Sequence, residues 1–251
     1  VFHLAAQTIV GIANRSPLST FDTNIRGTWN IMEAARLTPT IRRVVFASSD
    51  KAYGAQDELP YSEDSPLVGL HPYDASKSCS DLIAQTYHHT YGLPVGSSRC
   101  GNIFGGGDLN FNRIFPETFS AVYEDRNPVI RSDGSPTRDY LYVKDVVEAY
   151  LCLGQGLDTD ANRGKGYNFS YEQPKTVLEI VGDILGTLGR EDLVPDVQGE
   201  GPPAGEIPHQ YLAADRARSE LGWKPTYGLS DGVIESYAWY KALFDARAAR
   251  A

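Results

Sequence analysis

A hydrophobic segment that ends in polar side chains is the first place where this sequence can perform chemistry. Residues 43–47 read Arg-Val-Val-Phe-Ala, and Ser48, Ser49, Asp50 and Lys51 follow directly. Because a short apolar run that includes β-branched residues is typical of a buried parallel strand, we expect these polar groups at the carboxyl edge of a sheet. Ligands of open α/β sheets bind at that edge.

A phenol and an ammonium come next, and their spacing suits acid–base chemistry. Tyr73 follows Ser49 by 24 residues and Lys77 follows Tyr73 by four, so a helix would put both on one face. A nearby ammonium favours the phenolate and lowers the pKa of a tyrosine from its usual value of about 10, so that more of it is ionised and can accept a proton at neutral pH. The chain holds four Tyr-x-x-x-Lys pairs, and only this one follows a strand that ends in serine, so we interpret the other three as structural.

Alternating helix and strand patterns predict the elements that position these residues. Apolar residues at helical spacing indicate helices, and short apolar runs bounded by turn residues indicate strands. Such alternation favours an α/β fold with a parallel sheet. The predicted elements of the first half are strands at 1–6, 43–47 and 93–99 and helices at 20–36 and 74–91.

Two patterns in the second half predict where helices begin. Asp145-x-x-Glu148 and Thr176-x-x-Glu179 both have the form of a capping box. In a capping box the first side chain accepts a hydrogen bond from the backbone of the fourth residue, whose side chain bonds back. We therefore expect helices to start at Asp145 and at Thr176.

Composition argues against several classes of function. The 251 residues are 41% hydrophobic and 22% charged, as in an ordinary globular protein. The formal net charge of -9 disfavours nucleic acid or an anionic membrane as a partner, and the sequence lacks a run of about 18 apolar residues that would span a membrane. Cys79, Cys100 and Cys152 are few and unpatterned, which favours a reducing, cytoplasmic location, and we predict no metal site.

Taken in order, the motifs resemble those of extended short-chain dehydrogenase/reductases that act on nucleotide sugars. This resemblance covers nearly the whole chain and implies a Rossmann-like doubly wound parallel sheet with a smaller α+β C-terminal substrate domain. The matching segments are 3–6 (His-Leu-Ala-Ala), 24–28 (Asn-Ile-Arg-Gly-Thr), 48–50 (Ser-Ser-Asp), 73–77, 99–105, 138–140, 143–145 and 221–225.

The resemblance also implies the organisation of domains and subunits. The family's glycine-rich turn, which holds the dinucleotide pyrophosphate at a helix N-terminus, is missing from this sequence. We therefore interpret the chain as N-terminally truncated, without the first three strands of the family's sheet, and expect weak NAD binding. The helices at 20–36 and 74–91 imply a homodimer through a four-helix bundle. The implied domains are a partial NAD-binding domain (1–107 with 142–170) and a substrate domain (108–141 with 171–251).

Individual roles follow from the same resemblance. Ser49 would hold a sugar hydroxyl while Tyr73 removes its proton, and Lys77 would also bind the nicotinamide ribose. A helix N-cap is the alternative role for Asn24. The implied NAD contacts are Leu4, Ala5, Ala6, Asn24, Ala47, Ser48, Tyr73 and Lys77. The implied contacts with a nucleoside-diphosphate sugar are Thr8, Asn102, Arg131, Arg138, Asn168 and Arg216.

Asp50 and Lys51 distinguish between reactions within the family. The family's 4,6-dehydratases carry an acid and a base directly after the catalytic Ser or Thr, and Asp-Lys resembles the form found in cytidine diphosphate glucose dehydratases. We therefore predict an NAD-dependent nucleotide-sugar 4,6-dehydratase in which Asp50 protonates the departing C6 hydroxyl and Lys51 is the C5 base. A local ion pair is the alternative for these two residues. For the whole protein the alternatives are a nucleotide-sugar 4-epimerase and a non-catalytic NAD-binding relic.

Overall fold

Short strands and the helices between them form the framework of the molecule. The computed structural model describes residues 1–201 and 207–250. The strands are β1 (Phe2–His3), β2 (Val44–Ala47), β3 (Val95–Cys100), β4 (Asn102–Phe104), β5 (Val129–Ile130), β6 (Thr137–Arg138), β7 (Tyr140–Tyr142), β8 (Gly166–Phe169), β9 (Lys175–Thr176), β10 (Asp196–Val197) and β11 (His209–Gln210). The α-helices are α1 (Val10–Arg15), α2 (Pro17–Phe21), α3 (Gly27–Leu37), α4 (Pro72–Tyr91), α5 (Ile114–Tyr123), α6 (Val143–Gly156), α7 (Val177–Thr187), α8 (Asp215–Leu221) and α9 (Leu229–Ala248). None of the helices in these two ranges has both the length and the hydropathy of a membrane span.

The chain divides into two compact units. Residues 211–224 lie in the first unit, whereas the sequence analysis assigned them to the substrate domain. They pack on β8, because the Ser170 hydroxyl donates to the Leu212 carbonyl and the Trp223 ring lies edge-on to Phe169. The first unit consists of Val1–Gly101, Val146–Glu172 and Tyr211–Lys224, and the second of Asn102–Asp145, Gln173–Gln210 and Pro225–Ala251.

The first unit is built on a four-stranded sheet of order β1-β2-β3-β8, in which every neighbouring pair is parallel. Val44 and Phe46 of β2 and Val95 of β3 are buried against Met32 of α3 and Ala84 of α4. Because helices cover this sheet, β2 carries an unbroken apolar sequence. The predicted α/β fold with a Rossmann-like parallel sheet is therefore confirmed.

The predicted helix at 20–36 forms, but its winding changes within it. α2 and α3 are joined by a π-helical turn at Asp22–Arg26, and Asn24 lies in the middle of that turn. The Asn24 side chain accepts a hydrogen bond from the Gln7 N–H at 2.7 Å and donates to the Gln7 carbonyl at 3.0 Å. The N-cap alternative for Asn24 is wrong, because the residue lies within continuous helical backbone and its amide ties down the segment after β1.

α4 has the boundaries that its sequence favours. It begins at Pro72, whose fixed φ suits the first helical position, and it ends before Gly92, which adopts the left-handed conformation with φ 69. The start is two residues earlier than the predicted range of 74–91. Tyr73 and Lys77 consequently lie in the first two turns, on one face.

The second unit is organised around aromatic side chains. Its strands form three small sheets, β10-β5, β11-β6-β9 and β4-β7. Phe104 of β4 stacks on Phe115 of α5 with ring centroids 4.1 Å apart, and Phe119 of α5 lies 5.1 Å from Tyr240 of α9. These rings bury large apolar surfaces where the short strands and helices meet.

One of the two predicted capping boxes is confirmed and the other is wrong. Thr176 and Glu179 bond each other's backbone at the start of α7 in both directions. α6 instead begins at Val143, which places Asp145 inside its first turn. The Asp145 carboxylate accepts hydrogen bonds from the backbone N–H groups of residues 226–228, so it stabilises the loop before α9.

Candidate active site

The carboxyl end of β2 carries the polar cluster that the sequence predicted. Ser49 has extended backbone and caps a 3-10 turn at Asp50–Tyr53, because its Oγ accepts a hydrogen bond from the Lys51 N–H at 3.2 Å. The same hydroxyl donates to Asp50 Oδ1 at 2.9 Å. Asp50 is buried, at 3% exposure, whereas Ser49 and Lys51 are half-buried. A short turn thus presents a hydroxyl, a carboxyl and an ammonium side by side.

α4 brings Tyr73 and Lys77 to the same end of β2. Lys77 Nζ donates to the Ala47 carbonyl at 2.8 Å and lies 5.9 Å from the centre of the Tyr73 ring. The next residue of α4 is Ser78, and its hydroxyl donates to the Ala52 carbonyl at 2.7 Å, which joins α4 to the 3-10 turn. The residues that the sequence analysis grouped as catalytic therefore occupy one side of the sheet, at one strand end.

Burial controls the charges around Tyr73. It lowers the pKa of Lys77 to about 8, although the carboxylate of Asp81 favours the ammonium form. Burial, and secondly the positive charge of Lys77, lower the pKa of His3. His3 is therefore neutral at pH 7, while Lys77 keeps most of its charge. The ammonium of Lys77 is thus a positive group close to the Tyr73 ring, where it would favour a phenolate.

The predicted cofactor residues that follow β1 are accessible to solvent. Leu4 is 56% exposed, Ala5 is exposed and Ala6 is half-buried. Small side chains at such a position let a flat ring or a ribose approach the backbone. Lys77 supplies a donor and Tyr73 a phenol at the neighbouring strand end, so this part of the chain fits the nicotinamide half of NAD.

The other predicted cofactor residues lie beside the surface formed by residues 4–6 and the end of β2. Ala47 and Ser48 are half-buried at the end of β2, and the Ala47 carbonyl is bonded to Lys77. Asn24 is 2% exposed, and its amide bonds the Gln7 backbone and the Ser76 hydroxyl. Asn24 thus positions the segment after β1 against α4, and its direct contact with NAD stays a prediction.

The predicted substrate residues of the first unit have different environments. Thr8 is exposed after β1. Asn168 is fully buried, and its amide donates to the carbonyls of Tyr61 and Ala213. Arg216 donates to Asp64 Oδ1 at 2.7 Å. Thr8 is therefore open to a ligand, whereas Asn168 joins elements within the unit and its contact with a nucleotide stays a prediction.

In the second unit, the predicted substrate residues differ in accessibility. Arg131 is exposed directly after β5, and Asn102 is half-buried at the start of β4. Arg138 is 5% exposed, and its guanidinium donates to the carbonyl oxygens of residues 137, 207 and 208. Arg131 has the exposure that a phosphate ligand requires, while Arg138 helps to fix the path of residues 207–208.

Sequence reasoning missed a buried network beneath the cluster. Arg99 donates from Nε and Nη2 to the two carboxylate oxygens of Asp81, at 2.8 and 3.0 Å, and from Nη1 to the Tyr53 hydroxyl at 2.9 Å. Burial disfavours the Asp81 charge, but Arg99 holds the pKa of this carboxyl below its usual value. Two signals were available: Asp81 lies four residues after Lys77, and Arg99 is a charged residue inside a buried strand.

Comparisons with known proteins give a consistent group of relatives. A family profile described as GDP-mannose 4,6 dehydratase matches residues 1–236. The CDP-glucose 4,6-dehydratase of Salmonella typhimurium is 31% identical over 255 residues, which cover 96% of this chain and 70% of that protein. The UDP-glucose 4-epimerase of Mycolicibacterium smegmatis is 31% identical over 247 residues, covering 96% of this chain and 75% of that protein. Among solved structures, the dTDP-glucose 4,6-dehydratase DesIV from Streptomyces venezuelae, crystallised with NAD, has a TM-score of 0.82 at 27% identity, covering 96% of this chain and 72% of that one.

Proposed function

This chain belongs to the GDP-mannose 4,6-dehydratase family, and from that premise we propose that it converts a nucleoside-diphosphate sugar to its 4-keto-6-deoxy form by NAD-dependent dehydration. The proposal rests on one observation: two pairs of reactive side chains lie near the carboxyl end of β2. Tyr73 and Lys77 suit transient oxidation at C4, and Asp50 and Lys51 suit the loss of water. The resemblance to extended short-chain dehydrogenase/reductases is confirmed by the family match.

Oxidation at C4 begins with proton removal. Ser49 holds the C4 hydroxyl by a hydrogen bond, and Tyr73 takes its proton as the general base. Lys77 keeps a positive charge close to the phenol and so favours the phenolate. NAD supplies the hydride acceptor for this oxidation and the hydride donor for the reduction that closes the cycle.

The ketone makes the C5 proton acidic, and water is then lost across C5 and C6. In this proposal Lys51 removes the C5 proton, and Asp50 gives a proton to the departing C6 hydroxyl. The buried position of Asp50 and its hydrogen bond from Ser49 support this role, because they place the carboxyl beside the hydroxyl that orients the sugar. General acid–base assistance of this kind accelerates a step by roughly 10²- to 10⁴-fold.

A nucleotide-sugar 4-epimerase is the second candidate. The Mycolicibacterium smegmatis epimerase matches this chain at the same identity as the Salmonella typhimurium dehydratase. An epimerase uses the oxidation residues but loses no water, so it has no need for Asp50 as an acid. If the protein bound NAD without catalysis, neither Tyr73 and Lys77 nor Asp50 and Lys51 would have a chemical role.

The deciding experiment incubates the purified protein with NAD and a panel of nucleotide sugars. We expect a product lighter by one water, with the new absorbance in alkali that marks a 4-keto sugar. Asp50→Asn should lose most of this activity, and Tyr73→Phe should lose oxidation as well. Formation of a 4-epimer that is unaffected by Asp50→Asn would instead establish the epimerase, and NAD binding without any sugar conversion would leave the non-catalytic alternative.

We assign NAD to the first unit, where Thr8 stays a candidate ligand contact. Within the second unit, we assign contacts with the sugar nucleotide to Asn102, Arg131 and Arg138. Arginine suits a diphosphate because its planar guanidinium pairs two oxygen atoms at once. Arg131→Ala should therefore raise KM with little change in kcat. An unchanged KM would remove Arg131 from the binding residues.

A homodimer is the proposed assembly, with α3 and α4 of two subunits forming a four-helix bundle. Large apolar side chains on both helices support it: Trp29 is 43% exposed and Leu82 is 52% exposed. Light scattering after gel filtration should give twice the mass of one chain, and Leu82→Glu should halve it. A cytoplasmic location is part of the same proposal and is consistent with Cys79, Cys100 and Cys152 being free thiols.

A further inference from the structure

Arg99 contacts the two elements that carry the two proposed catalytic pairs. Its guanidinium bonds Asp81, which lies on α4 one turn after Lys77, and it bonds Tyr53, the last residue of the 3-10 turn that starts with Asp50. Arg99 itself lies in β3, beside β2 in the parallel sheet. One side chain thus spans the helix of the oxidation residues and the turn of the dehydration residues.

The contact with Asp81 is closed to water and has a fixed geometry. The side chains of Arg99 and Asp81 are 4% and 0% exposed. Two parallel N–H···O bonds define the plane of the guanidinium as well as its distance from α4. Gly166 of β8 makes room for this arrangement, because a Cβ at that position would stand 2.4 Å from Arg99 Cζ.

The contact with Tyr53 has a fixed direction. The Tyr53 hydroxyl donates to Asn168 Oδ1 at 2.7 Å, so it accepts from Arg99 Nη1. The guanidinium carbon also lies 5.1 Å from the centre of the Tyr53 ring. Burial raises the pKa of Tyr53 to about 12, so the hydroxyl keeps its proton at neutral pH. The 3-10 turn is therefore held at its last residue by a hydrogen-bonded chain that leads from β8 to α4.

We propose that Arg99, through Asp81 and Tyr53, is a positioning residue that fixes the dehydration pair Asp50 and Lys51 relative to the oxidation pair Tyr73 and Lys77. This inference rests on the proposed function. The two chemical steps act on neighbouring carbons of one sugar, so both pairs must address it without movement of the substrate between steps. A rigid connection between their elements meets that requirement, and misplacement by about 1 Å is enough to cost roughly 10²-fold in rate.

A purely stabilising role makes a different prediction. Replacing a buried ion pair by well-packed apolar residues is often neutral or favourable for stability, so the pair is not explained by stability alone. If the network only held the fold together, a mild change in it would slow both chemical steps equally. If it sets the position of one pair against the other, the same change should slow dehydration more than oxidation.

Tyr53→Phe is the sharpest test, because it keeps the ring against Arg99 and removes only the hydroxyl. In single turnovers we expect oxidation, followed by the absorbance of the reduced nicotinamide, to stay within about twofold of wild type, while water loss, followed by mass, falls about 10- to 100-fold. Reduced cofactor should accumulate as a result. Gly166→Ala perturbs Arg99 from the opposite side and should shift the ratio of the two rates in the same direction.

Tyr167→Phe is the matched control. Tyr167 is also a fully buried tyrosine of the first unit. It lies between Gly166 and Asn168 in β8, but its hydroxyl donates to Glu220 at 2.8 Å and not to a member of this network. Its removal should leave the ratio of oxidation to dehydration unchanged. Equal loss of both steps in Tyr53→Phe, loss of oxidation alone, or no change in either step would overturn the inference.

Hydrogen exchange provides a readout that needs neither substrate nor cofactor. The amides of Lys51, Ala52 and Gly54 are bonded within the 3-10 turn. Tyr53→Phe should speed exchange in a peptide covering 49–54 and leave a peptide covering 73–78 unchanged, and Tyr167→Phe should change neither. Unchanged exchange at 49–54 would refute the connection. A wild-type protein that loses no water from any nucleotide sugar would refute the proposed function, while the exchange result would still decide the connection.

Discussion

One buried charge pair of the first unit and two buried charges of the second unit are satisfied in different ways. In the first unit Arg99 pairs with Asp81, so that one buried charge compensates another. In the second unit, Asp145 accepts from the backbone N–H groups of residues 226–228, and Arg138 donates to backbone carbonyl oxygens. Both arrangements satisfy the groups involved, but they fix different parts of the molecule.

The difference indicates what each arrangement is for. A bond between two side chains fixes those side chains and the elements that carry them, which a reaction centre needs. A bond from a side chain to a loop fixes the path of the loop and needs no charged partner. Loss of one member of a charge pair leaves a buried charge, whereas loss of a loop acceptor leaves N–H groups near the surface.

The largest effect on stability is expected from Asp81→Asn. The shape is conserved, but Arg99 becomes a buried charge without a carboxylate, and such losses cost about 3–5 kcal/mol. Urea denaturation should report this decrease in the free energy of unfolding. Asp22→Asn is the control, because the Asp22–Arg26 pair is exposed and its loss should change the midpoint little.

A smaller loss is expected from Asp145→Ala in the second unit. The backbone N–H groups of residues 226–228 lose an acceptor, which should cost about 1–3 kcal/mol in urea denaturation. If this change cost as much as Asp81→Asn, the distinction between the two kinds of buried charge would fail.

The pH dependence of stability tests the first unit separately. The pKa of Lys77 in the folded protein is about 8, below its ordinary value of 10.5, so the folded protein holds fewer protons than the unfolded chain between these two values. Stability contributed by this group therefore rises as pH increases through that range. Compared with wild type, Lys77→Met should have a flatter profile of unfolding free energy between about pH 8 and about pH 10. Parallel profiles would contradict the assigned shift.

The smallest change is expected at the start of α7. Thr176→Ala removes a capping side chain and should cost about 1 kcal/mol in the free energy of unfolding. Glu179→Gln retains an acceptor for the Thr176 backbone and should cost less. Equal costs for the two variants would mean that the charge of Glu179, and not the capping geometry, stabilises the helix.

Local patterns in the sequence predicted what local physics decides. β2 was predictable because an unbroken apolar run is typical of a strand covered on both faces, and Thr176 with Glu179 because a capping box involves four consecutive residues. The start of α6 was not predictable from Asp145, since its carboxylate bonds a loop more than 80 positions later in the chain. The spacing of Tyr73 and Lys77 located the candidate site for the same local reason.

The network beneath the site had no comparable pattern. Asp81 and Arg99 belong to different elements, and their pairing depends on how α4 packs on β3. Gly166 makes room for the guanidinium from a strand far along the chain, and only the register of β3 with β8 brings it there. The spacing of Lys77 and Asp81 and the charge inside a buried strand were signals, but neither shows which residues pair, because the pairing follows from tertiary packing.

The π-helical turn before α3 makes the exact length of that segment important. Successive residues of an α-helix are rotated by about 100°, so removal of one residue from Asp22–Arg26 would restore regular winding and swing Asn24 away from Gln7 and Ser76. A substitution keeps the number of residues in this turn. A single-residue deletion would instead rotate the residues before the turn about the helix axis, relative to α3. Single-residue deletions should therefore be tolerated far less at this turn than in the exposed loops.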